Sequence, residues 1–150
     1  MRLSLPVIPK SLTSMIDAFR AEYPLEGDTN ALCVTFKPGA PVGTVEVNLR
    51  EGRAEVYYDC AARACRGLGA LLSGCVKPGE TYRERTSFTT LGIMLDCSRN
   101  AVMTVAHVKR WLRRLALLGY NMAMLYTEDT YELRGEESSA ICVVATRWKN

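Results

Sequence analysis

A chain of 150 residues with 48% apolar and 23% charged side chains has the make-up of one packed domain, or of a domain and part of another, and excludes wholesale disorder. Its net charge of +3 is too slight to argue for nucleic acid or a membrane as partner. No apolar stretch approaches the roughly 18–20 residues of a spanning helix, and the opening MRLSLPVIPKSL, interrupted by Pro6 and Pro9, is a poor signal peptide, so the expected compartment is the cytoplasm.

The first periodic segment runs from Lys10 to Glu22. Leu12, Met15, Ile16 and Phe19 recur at helical spacing, and Ser11 stands where an N-cap is expected. Pro24 and Gly27 end it. ALCVTFK, Ala31 to Lys37, reads as a strand, followed by the loop PGAPVG. In GTVEVNLREGRAEVYYD, Val45, Val47 and Leu49 alternate with polar residues. Glu51–Gly52 turns the chain, and Ala54, Val56 and Tyr58 alternate again, which predicts a hairpin with one buried face. Cys60 to Cys75 reads as a helix carrying Leu68, Leu71 and Leu72. Gly67 and Gly69 each cost it roughly 1 kcal/mol of propensity against alanine, which suggests a close approach to the sheet. The expected fold of residues 1–87 is therefore an α+β domain, an antiparallel sheet with helices on one face. KPGETYRERTS reads as a polar connector.

Beyond it the pattern changes. IMLD is a short apolar strand. Thr104 is placed to cap a helix that runs to Leu118, and Gly119 to end it. Val105, Val108, Trp111, Leu112, Leu115 and Leu118 form its apolar face, with Trp111 in the core. Met122 to Thr127 is a second strand. Strand, helix and strand with a crossover of about 25 residues form a βαβ unit, whose strands run parallel. Functional loops of parallel α/β folds gather at the carboxyl ends of strands. Asp96 ends the first strand, and Thr127, Glu128 and Asp129 end the second, so the acidic groups are expected at one edge. Two strands and one helix close no core, so this half reads as the beginning of something larger.

The remaining chemistry-bearing residues point to little. Cys33, Cys60, Cys65, Cys75, Cys97 and Cys142 include no CxxC pair, and their bland reading is buried free thiols. With His107 the only histidine, a zinc site has weak support, and His107 itself reads as a surface or packing residue. Lys109, Arg110, Arg113 and Arg114 form a basic helix face, expected to be solvated.

GIMLDCSRNAV and then VKRWLRRLALLGYNMAMLYTEDTYEL resemble the start of a family 20 glycoside hydrolase, the β-N-acetylhexosaminidases. There, Gly-x-Met-Leu-Asp and the following Ser-Arg-Asn form the first strand and loop of a (β/α)8 barrel. GRAEVYYDCAARACRGLGALL is similar to the α+β domain that precedes the barrel. The resemblance spans about Leu3 to Leu133. It implies residues 88–133 as the first βαβ of an incomplete barrel and residues 134–150, RGEESSAICVVATRWKN, as an anomalous tail, with truncation or frameshift of a gene as its expected origin. It also implies exo-acting removal of a terminal N-acetylhexosamine with retention. The substrate's acetamido oxygen attacks the anomeric carbon, a glutamic acid protonates the leaving oxygen, and an aspartate orients the acetamido group. This departs from the ordinary two-carboxylate route and needs no metal or organic cofactor.

Two departures bear on the chemistry. The family's substrate-holding arginine precedes the glycine of the first strand, where this chain has Leu91, which donates no charge-assisted hydrogen bond. The family's catalytic Asp–Glu pair lies on a later strand, so Glu128–Asp129 does not inherit its role and no catalytic or metal-binding residue is assigned. Asp96, Arg99, Glu128 and Asp129 are the substrate-binding candidates. For Asp96 the competing reading is a carboxylate that caps the next loop through backbone N–H groups. For Arg99 it is an ion pair with Asp96, and for Glu128 and Asp129 a solvated strand end. The expected function is that of an N-terminal fragment, inactive alone. The alternative is a non-catalytic carbohydrate-binding or protein-interaction module. The expected partners are the carbohydrate, a second copy or the remainder of a barrel, with neither nucleic acid nor membrane.

Overall fold

The structure is a computed structural model that describes residues 2–23, 25, 30–99 and 102–127. Its organising unit is the hairpin of β3 (Thr44–Arg50) and β4 (Arg53–Tyr58). Val45 lies opposite Tyr58, Val47 opposite Val56 and Leu49 opposite Ala54, and all of them are buried, as the alternation predicts. Between the strands Glu51 has φ 41° and Gly52 φ 75°. Positive φ at both turn residues is the type I′ geometry that matches the twist of a hairpin.

β1 (Leu3–Ser4) pairs in parallel with β2 (Leu32–Pro38), and β2 in parallel with β4. β5 (Thr81–Arg85) closes the other edge, antiparallel to β3, giving the order β1-β2-β4-β3-β5. The sheet is thus mixed, not antiparallel as expected. The cause is the hairpin, which inserts β4 between β2 and β3, so β2 lies beside a strand running its own way. The segment expected as a polar connector contains β5. It lacks an apolar stripe because Tyr82 and Glu84 meet Arg66 on one face while Thr81, Arg83 and Arg85 are exposed.

A 3₁₀ turn (Lys10–Leu12) leads into α1 (Thr13–Arg20), and α2 (Ala61–Leu72) follows β4. Leu12, Ile16 and Phe19 join Ala64, Leu68 and Leu71 in one buried cluster with Val34, Phe36, Val45, Val47 and Val56. Both helices therefore cover the same sheet face. Each buried large apolar side chain contributes about 1.5–3 kcal/mol. Ser11 does not cap the first helix. Its start is instead closed by the Leu12 N–H donating to the Pro9 carbonyl at 2.8 Å, with no side-chain cap.

The smaller sheet pairs β6 (Gly92–Asp96) with β7 (Met122–Tyr126) in parallel, and α3 (Val105–Leu117) connects them. Thr104 Oγ1 accepts the His107 N–H at 3.3 Å, as its cap position predicts. Gly119, at φ 93°, stops the helix in a conformation that costs glycine no Cβ clash. The predicted apolar face of α3 needs correction. Leu115 and Leu117 are buried, but Val105, Leu112 and Leu118 are exposed, and Trp111 is 38% exposed rather than core. The helix docks by its C-terminal turn onto α2, and a sheet this narrow leaves the rest of the stripe uncovered. Among the described residues no helix is long and apolar enough to cross a membrane.

Candidate functional site

The register of the smaller sheet runs from Gly92 opposite Met122 to Asp96 opposite Tyr126, so the two strands end together. A further bond from the Cys97 N–H to the Tyr126 carbonyl, 2.7 Å, ties the loop after β6 to the end of β7. Gly92 supports this closeness, since a Cβ there would stand 2.3 Å from Met122 Cε.

Asp96 turns the chain as soon as the strand stops. Its Oδ1 accepts the Ser98 backbone N–H at 2.8 Å and the Ser98 hydroxyl at 2.5 Å. Its Oδ2 lies 3.6 Å from Arg99 Nε. The Ser98 hydroxyl, then the Ser98 N–H and more weakly the Arg99 charge hold the Asp96 carboxyl below the usual aspartate range. The loop-capping reading of Asp96 and its pairing with Arg99 are therefore both seen. An ionised carboxylate only accepts hydrogen bonds. At neutral pH this group can orient a hydroxyl or an amide N–H, but it cannot donate a proton to a leaving group. Both side chains are open to solvent, Asp96 at 41% and Arg99 at 75%. Glu128 and Asp129 lie outside the described residues, as does the tail 134–150.

At the opposite end of β6, Asn121 makes a clasp that the sequence reading missed. Its Oδ1 accepts the Leu91 N–H at 2.8 Å and its Nδ2 donates to the Thr89 carbonyl at 2.8 Å. The Leu91 carbonyl accepts the Asn121 N–H at 3.0 Å. Leu91 is thus held by its backbone. The available signal was an asparagine directly after the Gly119–Tyr120 helix stop, a side chain suited to local backbone bonding.

Five described cysteines are free, but only Cys65 is buried, and Cys60 and Cys75 are exposed, which corrects the expectation of buried thiols. Burial pushes the Cys65 thiol up to about 12, leaving it inert at neutral pH. Cys142 is outside the described residues. His107 is exposed. Arg113 departs from the solvated basic face and pairs with Glu22 beyond α1. Among the described residues no group of three or more His, Cys, Asp or Glu is placed to hold a metal. Clefts of ≈ 640 and ≈ 710 Å³ open on the larger sheet, one beside Tyr57 and Arg83 and the other beside Asn48 and Glu55, away from Asp96.

The fold is similar to that of a GH20 exo-β-N-acetylglucosaminidase from Vibrio harveyi. The crystal structure of an inactive mutant aligns with a TM-score of 0.60 at 18% identity, covering 83% of this chain and 22% of that one. The same enzyme in complex with N-acetylglucosamine aligns with a TM-score of 0.59 at 18% identity, over the same shares. This chain therefore spans about a fifth of the enzyme it resembles (22%). At that identity the likeness is one of fold. No family model and no curated protein matches the chain.

Proposed function

We propose that this chain is an N-terminal portion of a β-N-acetylhexosaminidase-like glycoside hydrolase, in which residues 1–87 form the domain preceding the barrel, 88–133 supply the barrel's first βαβ unit and 134–150 are a tail. The observation that carries the reading is the parallel, in-register pairing of β6 and β7, which puts Asp96 at the carboxyl edge beside the end of β7. The fold likeness to the GH20 enzyme supports it. In this reading Asp96 and Arg99, with Glu128 and Asp129, belong to the wall that receives a terminal N-acetylhexosamine. The family's acid pair stands on a later strand, so turnover belongs to a complete barrel and the isolated chain releases no sugar.

Two measurements test this. Titrating labelled chain with N-acetylglucosamine is expected to shift the Asp96, Ser98 and Arg99 amide resonances. Shifts confined to other regions, or none at all, overturn the site. A chromogenic β-N-acetylglucosaminide is expected to stay intact with the pure chain, and release of the chromophore overturns the assignment of turnover to later strands.

A second reading is a non-catalytic interaction module. It draws on the apolar side chains open on β7, where Met122, Met124 and Leu125 are about half exposed (46%, 49% and 53%). Patches of that kind favour association, either with a second copy or with the remainder of a barrel.

A further inference from the structure

We draw no further inference here: the strongest candidate, the open apolar face of the β6–β7 sheet carrying Met94, Met122, Met124 and Tyr126, has nothing in the structure to show what covers it.

Discussion

Gly67 and Gly69 occupy one helix, yet their missing side chains serve different contacts. A Cβ on Gly67 would meet Val56 Cγ1 at 2.5 Å and Val45 Cγ2 at 3.1 Å, so this glycine brings α2 down onto the hairpin as the sequence suggested. A Cβ on Gly69 would stand 2.0 Å from the Leu117 carbonyl oxygen, so this one admits the end of α3. Alanine would gain about 1 kcal/mol of helix propensity at either place. Overpacking opposes it by about 1–3 kcal/mol. Valine methyls can shift, whereas a helix-end carbonyl moves only with its backbone. Gly69→Ala is therefore expected to be the more destabilising of the two, by about 1–2 kcal/mol net. Urea unfolding of both variants checks the order, and equal midpoints would remove the distinction.

The Asp96 carboxylate offers a second test on the scale of single groups. Its native pKa is depressed, first by the Ser98 hydroxyl and then by the Ser98 N–H. Carboxyl-carbon NMR should find it titrating below the ordinary aspartate range. Ser98→Ala keeps the backbone bond and deletes the hydroxyl, so the midpoint should move part of the way back. An unchanged midpoint would mean that the hydroxyl does not hold the carboxylate.

Among the elements, β5 separates what the sequence discloses from what it conceals. The hairpin was legible because one face is buried and the turn pair Glu51–Gly52 has its own chemistry. The βαβ unit was legible from two apolar runs around a capped helix, and loop capping by Asp96, one of two readings open to it, from an acid at the end of a strand. β5 hides because its inward pair is Tyr82 and Glu84, whose polar groups are partnered by an arginine from another element. The order of β2 beside β4 is a tertiary choice, invisible to local alternation. The Arg66 guanidinium donates to Glu84 through Nε at 2.7 Å and to the Tyr82 hydroxyl at 2.7 Å, and Tyr82 in turn donates to Glu84. Those hydrogen bonds from Arg66 hold the Glu84 carboxyl below its usual range. A depressed native pKa adds stability above the unfolded value and loses it as the pH falls through the native one. Glu84→Gln should thus cost up to about 1 kcal/mol at neutral pH, a modest figure because Glu84 is partly exposed. The gap to the parent chain should close in acid below the ordinary glutamate range. A pH-independent gap in thermal or urea midpoints would show that charge is not what Arg66 reads.

For the whole molecule the two sheets have unequal cover. The larger sheet has a helical layer on one face and a polar outer face, an arrangement that tolerates water. The smaller sheet is purely parallel, and such strands normally have both faces covered. Leu95 is buried on one face, but its neighbours on the other, Met94 and Met124, are 56% and 49% exposed. They lie side by side in the register, with Met122 and Tyr126 on the same face, so the exposure is a continuous strip and not scattered residues. The docking of Leu117 at Gly69 and the Arg113–Glu22 pair secure α3 to the larger unit, and neither touches this strip. Burying even part of it between molecules is favourable by about 25 cal/mol per Å². The isolated chain is therefore expected to gain mass with concentration in light scattering. Met124→Lys puts a charge in the middle of the strip, outside the buried core, so it should suppress that gain while the circular dichroism of the fold persists. A chain that stays monomeric at every concentration, with or without the lysine, would remove the ground for association.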